Sequence, residues 1–356
     1  AEQEREQLNS GTKDVAEAHR FDESKLVAWM EANVEGYEGP LEVRQFKGGQ
    51  SNPTYQLITP TKKYVMRRKP PGKLLPSAHA VDREFRVISA LYPIGFPVAK
   101  PFGLCTDESV VGTMFYIMDM VEGRIVWDAT FPDVSRAERP AYFDAMNATI
   151  AHLHSLEPDA LGLGDYGRHG GYFERQVKLW SRQYREDEAA GRYGDMDFLC
   201  DWLAENIPAD GQTTIVHGDF RCDNMIFHPR RPEVLAVLDW ELSTLGDPLV
   251  DFAYHLMMYR VPAWMPWGLA GRDLAALGLP DETAYVAAYC RRTGRVEMPD
   301  LRPHLALNLF RFAAIVHGIK GRMLRGNASS SEAGALVERI GDFAAIGRAI
   351  AMEVNE

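Results

Sequence analysis

Cysteine is scarce in this 356-residue chain: Cys105, Cys200, Cys222 and Cys290 lie far apart, with no C-x-x-C pair and no zinc-like histidine spacing. That excludes a disulfide scaffold and points to a reducing compartment. Long apolar runs are missing too. The most apolar late stretch, LFRFAAIVHGI, is interrupted by Arg311 and His317 and is too short to span a bilayer. The opening AEQEREQLNS is polar and acidic, unlike a secretory signal, so a cytoplasmic location is expected. Positive charge is in deficit as well, with a formal net charge of -11. A general nucleic-acid binder is thereby excluded, because it needs a broad cationic face to displace counterions. No G-x-x-x-x-G-K-[ST] string occurs. Gly162, Gly164 and Gly167 satisfy G-x-G-x-x-G, but they follow SLEPDAL rather than a buried strand, so the dinucleotide reading lacks its context.

What is present is ordinary globular material, 46% hydrophobic and 25% charged, long enough for two lobes. Residues 1–20 read as a frayed polar arm, and 23–34 as a first helix. Short strands at 41–46, 54–59 and 63–68 then alternate with Gly, Pro and Asn turns, the texture of an antiparallel meander. Val81, Phe85, Ile88 and Leu91 put an apolar stripe on a helix over 81–91, and strands follow at 99–105 and 113–121. Beyond Gly123 the pattern turns helical at 142–156, 281–292, 305–325 and 332–353. Short strands at 215–216, 225–227 and 234–238 break it around the most polar cluster of the chain.

That cluster reads IVHGDFRCDNMIFHPRRPEVLAVLDWE. Asp219 and Asn224 reproduce the D-x-x-x-x-N spacing of a phosphoryl-transfer loop, and Asp239 ends an apolar strand after a hairpin-sized gap. Phosphoryl transfer from ATP asks for metal ions on the phosphates and a group that orients the attacking oxygen. Mg²⁺ takes one or two carboxylates and fills its shell with phosphate oxygens and water, so Asn224 and Asp239 suffice as ligands. Asp219 then faces the acceptor hydroxyl as base.

The strings HGDFRCDN, LDWE and LGDPLVDFA resemble the aminoglycoside phosphotransferase and choline kinase-like family over roughly residues 41–325. GGQSNPTYQL, YVMRRKPPGKLLPSAHAVDREFRVI and HGDFRCDNMIF more closely resemble the phosphotransferase domain associated with acyl-CoA dehydrogenases. The resemblance implies an α+β, bilobal protein kinase-like fold, with an antiparallel-sheet N-lobe carrying one main helix and a mostly helical C-lobe. The lobes would be 1–118 and 124–356, joined by a linker at 119–123. It implies a small-molecule hydroxyl kinase using ATP and Mg²⁺, with Asp219 as base and Asn224 and Asp239 as metal ligands. His217, Asp247 and Asp251 match positions that brace the loop.

On the nucleotide side, Gly48, Gly49, Gln50, Ser51 and Asn52 offer a turn for phosphate oxygens, with Ser51 and Asn52 as contacts. Arg67 stands where a kinase third strand carries lysine, with Glu84 as its partner; Arg68 and Lys69 leave the register open. Asp119, Met120 and Val121 form the linker that would meet adenine. Lys62, Lys63, Arg67, Arg68, Lys69 and Lys73, with no acid among them, read either as a solvated face or as a seat for CoA phosphates. The resemblance thus points to a hydroxyacyl-CoA acceptor and to association with an acyl-CoA dehydrogenase. Rival readings are an aminoglycoside- or choline-type kinase, a metallophosphoesterase built on His217, Asp219, Asp223 and Asn224, and a non-catalytic nucleotide-binding scaffold. A protein kinase is disfavoured because D-F-G and A-P-E segments are absent.

Overall fold

The computed structural model describes residues 11–47, 52–72, 80–326 and 331–353, which fall into two compact units. The first holds the described residues up to Trp127 together with Leu161–Leu163 and Asn224–Ser243; the second holds Asp128–Ala160, Gly164–Asp223 and the chain from Thr244 onward.

In the first unit, β1 (Thr12–Lys13), β2 (Glu42–Phe46), β3 (Thr54–Ile58), β4 (Lys63–Arg68), β5 (Pro101–Cys105) and β6 (Phe115–Asp119) make one antiparallel sheet in the order β1-β2-β3-β4-β6-β5. One sheet face packs on α1 (Glu23–Asn33), where Leu26 and Met30 meet Val43, Tyr55, Leu57, Tyr64, Met66, Phe115 and Ile117. Helix α2 (Val81–Leu91) packs against β5 and β6 and buries Val81, Glu84, Val87, Ile88 and Leu91. Its stripe therefore passes through Glu84 and Val87 in place of Phe85, so that a carboxylate is carried inward with the apolar residues.

Two departures from the sequence reading lie at the ends of the chain. The arm expected to fray instead adds β1 to the exposed edge of β2, pairing Thr12 with Phe46 and Lys13 with Gln45. An open strand edge offers unpaired peptide groups, and the arm takes them. It is tied down further where Ala16 N–H donates to Gln45 Oε1 at 3.0 Å. At the other end, the single helix expected over 332–353 is two. These close around a bond from Arg339 N–H to the Leu336 carbonyl at 2.9 Å, a tightened last turn that lets the chain change direction.

The second unit is built from helices α3 (Arg139–His154), α4 (Tyr172–Glu186), α5 (Gly194–Glu205), α6 (Pro248–Leu256), the short α7 (Leu274–Leu277), α8 (Glu282–Thr293), α9 (Arg302–Leu324), α10 (Ser331–Val337) and α11 (Ile340–Ala351). Helix α9 is the central post, packing against α4, α5, α6, α10 and α11. Strands β7 (Thr214–Val216) and β10 (Thr244–Gly246) pair antiparallel beside α6 and α3. The remaining pair, β8 (Met225–Phe227) and β9 (Val234–Val237), forms a ribbon that belongs to the first unit. Among the described residues, no helix is long and apolar enough to cross a membrane.

Candidate active site

Strand β4 is buried on both faces, so alternate side chains enter different layers. Arg68 follows Tyr64 and Met66 toward α1: its Nη1 donates to the His19 carbonyl at 2.8 Å, and its guanidinium lies over the rings of Phe21 at 5.3 Å and Tyr55 at 5.8 Å. Arg67 enters the opposite layer, where its Nε stands 3.4 Å from Glu84 Oε1. The strand's pleat thus decides between cations that sequence leaves equivalent.

Glu84 is held on all sides. Tyr116 donates its hydroxyl to Oε1 at 3.2 Å and Asn52 donates its amide to Oε2 at 3.1 Å. Burial pushes the Glu84 carboxyl up to about 7; Arg67 works against that rise, while Asp239 and Glu241 add to it. For the Arg67 guanidinium, burial opposes the charge, but Tyr116, Glu84, Asp239 and Glu241 outweigh it and hold the group above its ordinary range. Asp239 therefore lies within electrostatic reach of the Arg67–Glu84 pair. Asn52, expected to face phosphate, is fully buried and turns its amide to Glu84. Ser51 and Lys73 lie outside the described residues.

The ribbon explains how Asn224 and Asp239 come together within the first unit. Met225 pairs with Val237, and Leu238 N–H donates to the Asn224 carbonyl at 2.8 Å, so both residues stand at the same end of the ladder. The ribbon is fastened by reciprocal 2.8 Å bonds between Arg124 and Phe227 and by Val237 N–H to the Pro97 carbonyl, also at 2.8 Å. Gly123 sits where a Cβ would come within 2.2 Å of the Phe227 carbonyl oxygen. Asp239 itself has φ 60°, a left-handed backbone that residues with side chains seldom adopt and that concentrates at functional sites. One carboxylate and one amide oxygen make a hard-oxygen donor set that suits Mg²⁺ completed by phosphate oxygens. No group of three or more His, Cys, Asp or Glu is gathered for a metal among the described residues.

At the expected linker, Asp119 meets Lys62 Nζ at 3.5 Å, Met120 N–H donates to the Lys63 carbonyl at 3.3 Å, and Val121 is half-buried. Lys63 in turn meets Glu122 at 3.3 Å. The basic stretch is therefore not one cationic face: two of its lysines are paired with acids, and its arginines are buried in opposite layers.

In the second unit, the loop HGDFRCD is braced from behind. Asp251, 3% exposed on α6, accepts from the N–H groups of His217 and Gly218 at 2.9 Å each, and its Oδ2 lies 2.8 Å from His154 Nε2. Although burial pushes the other way, these hydrogen bonds and the nearby histidines hold the Asp251 carboxyl below its ordinary range. His217 receives the Asp219 N–H on Nδ1 at 3.0 Å, and Gly218 adopts φ 88°, which allows the turn. Asp247 caps α6 by accepting from Leu249 N–H at 2.8 Å. In front of the loop, Tyr254 donates its hydroxyl to Asp219 Oδ1, and Arg221 Nε lies 3.7 Å from that oxygen and 3.2 Å from Asp223 Oδ1. A guanidinium thus stands between two acids that the metallophosphoesterase reading would give to metal.

Tyr254, Arg221 and Arg311 escaped the sequence reading. Tyr254 had a signal, since it lies three residues after Asp251 on one face of a helix. Arg311 was visible only as a charge interrupting an apolar stretch.

The model of a phosphotransferase enzyme family matches residues 42–289. The chain belongs to that family. Among its relatives is human acyl-CoA dehydrogenase family member 11, 43% identical over 335 residues, a match covering 91% of this chain and 42% of that protein. The chain therefore spans less than half the length of the curated relatives it matches. A crystal structure of a Ralstonia eutropha protein described as a candidate aminoglycoside phosphotransferase superposes with a TM-score of 0.87 at 48% identity, covering 95% of this chain and all of that one. A spectinomycin phosphotransferase in complex with ADP and spectinomycin shares the fold at 10% identity, with a TM-score of 0.60 over 92% of this chain and 98% of that one. The protein is thus a phosphotransferase-family chain with the α+β, protein kinase-like fold that its motifs imply.

Proposed function

We propose that this phosphotransferase is an ATP-dependent, magnesium-assisted kinase that moves the terminal phosphoryl group of ATP onto a hydroxyl of a small molecule. The observation that supports this most is the ribbon end carrying Asn224 and Asp239, with Asp239 in electrostatic reach of Arg67 and Glu84. In this reading Asn224 and Asp239 would hold Mg²⁺, which would offset the charge of the phosphates. Arg67, steadied by Glu84, meets the phosphates, and Asp119, Met120 and Val121 lie in the linker of 119–123 that faces adenine. Asp219 orients the acceptor hydroxyl and takes its proton as the new O–P bond forms and the bond to ADP breaks, a contribution of typically ~10²–10⁴-fold. ATP as donor is supported by ADP in the spectinomycin enzyme of the same fold.

The acceptor we favour is a hydroxyacyl-CoA, with an acyl-CoA dehydrogenase as working partner. The name of the human relative supports it; the dispersed lysines do not. An aminoglycoside acceptor is supported by the description of the Ralstonia eutropha structure. The test is a coupled ADP-release assay over hydroxyacyl-CoA esters, aminoglycosides and choline, with and without Mg²⁺. Acceptor-dependent, Mg²⁺-dependent ADP release with a phosphorylated product is expected. ATP binding without turnover on any acceptor or on water would leave the scaffold reading in its place.

A further inference from the structure

We infer that Tyr254 is a positioning residue for Asp219 and that Arg311 holds it in that duty; the inference rests on the reading of Asp219 as catalytic base. Three contacts form a closed circuit around the loop, and a fourth backs it. The Tyr254 hydroxyl donates to Asp219 Oδ1. The Arg311 guanidinium, reaching across from α9, lies over the Tyr254 ring at 5.8 Å. Its Nη1 donates to the Gly218 carbonyl at 3.1 Å, and the next peptide group is that of Asp219. Trp180 backs the same guanidinium at 6.0 Å. One buried cation therefore touches both the ring that fixes the Asp219 side chain and the peptide that carries it.

Arg221 does not do the same work. Its nearest acid contacts, at 3.2 Å, go to Asp223, and its approach to Asp219 is 3.7 Å. Tyr254 is suited to be a permanent donor. It is 6% exposed, and burial, then the Asp219 charge, pushes its hydroxyl well above the ordinary range despite Arg221, so the proton stays in place. A carboxylate free to turn about its side-chain torsions presents its oxygens to an acceptor only part of the time, whereas one fixed by a buried hydroxyl is already aimed.

The experiment measures MgATP hydrolysis, with water as the acceptor, for the intact chain and for Tyr254→Phe, Asp219→Asn, the double variant and Arg311→Lys, together with thermal unfolding of each. Tyr254→Phe removes one oxygen and keeps the ring, so kcat should fall about tenfold while KM for ATP and the unfolding midpoint stay put. In the Asp219→Asn background the same change should have no effect on the residual rate, because the two residues act as one unit. Arg311→Lys should show a smaller kcat loss of the same kind. The inference is overturned if Tyr254→Phe leaves kcat intact, acts through KM, or lowers the rate equally in both backgrounds. Should Tyr254→Phe fail to fold, the kcat-against-KM split of Arg311→Lys decides. Wild-type turnover in Asp219→Asn alone would instead overturn the base assignment.

Discussion

Two buried carboxylates, Glu84 in the first unit and Asp251 in the second, solve the problem of an interior charge in opposite ways. Glu84 relies on side-chain partners: one guanidinium 3.4 Å away, a phenol and an amide, with Asp239 and Glu241 working against them. Asp251 relies on two peptide N–H groups fixed by the chain and one imidazole. The first arrangement leaves the carboxyl pushed up to about 7, whereas the second holds it below its ordinary range. The difference teaches which site responds to its surroundings. A group poised near neutrality reports every charge that arrives beside it, while a group locked by backbone donors reports nothing and simply keeps a loop in shape.

The comparison can be broken most forcefully at the loop that Asp251 serves. Asp219→Asn is expected to lower turnover by roughly 10²–10⁴-fold while ATP affinity by calorimetry is unchanged, since a base acts in the transition state and not in nucleotide binding. Unchanged turnover would remove Asp219 from the chemistry.

Next comes Asp251→Ala, which leaves His154 Nε2 and two buried peptide N–H groups without their acceptor. It should cost about 3–5 kcal/mol in urea unfolding, and a loss below about 1 kcal/mol would mean that the loop is braced elsewhere.

A third test sharpens the contrast through pH. Glu84 has a folded-state value raised to about 7 from 4.5, so between those values the folded chain binds more protons than the unfolded one. Its contribution is fully present below pH 4.5 and is lost as pH rises through about 7. The loss should be on the order of 3 kcal/mol. Unfolding midpoints compared at both ends of that window should show the trend in the wild type, and Glu84→Gln should flatten it. Asp251 has the opposite sign: its contribution is present at neutral pH and is lost on acidification below the ordinary carboxylate range.

The smallest effect is expected at Asp247→Ala, which removes the cap of α6 and should cost ~1 kcal/mol in the same unfolding assay.

Much of this was legible in the sequence where local pattern marks out one element. Residues 63–68 and 81–91 were placed to the residue as β4 and α2, the first as a short run bounded by turn residues and the second by its helical stripe. The same reasoning could not say which arginine of β4 meets Glu84, since a strand buried on both faces carries no polar–apolar alternation to read. Helices α4 and α5 were not named from the sequence, although α4 buries Phe173, Val177, Ser181 and Tyr184 at helical spacing. At the proposed site, Asp219, Asn224 and Asp239 were proposed from spacing, which is local. Tyr254 and Arg311 reach Asp219 and Gly218 from residues 35 and 93 positions away, and only folding brings them there. Asn52 was read from its place in a turn as a phosphate contact; the fold shows its amide donating to buried Glu84, a partner no local pattern announces.

The close approach at Gly123 makes the oxygen-bearing ribbon sensitive to a residue with no chemistry of its own. A methyl group there would collide with the carbonyl through which Phe227 is stitched to Arg124. The ribbon would have to slide or peel to make room, carrying Asn224 and Asp239 with it. A Gly123→Ala chain would thus keep every ionisable group intact and still misplace both of them, a defect that inspection of catalytic side chains alone would never reveal.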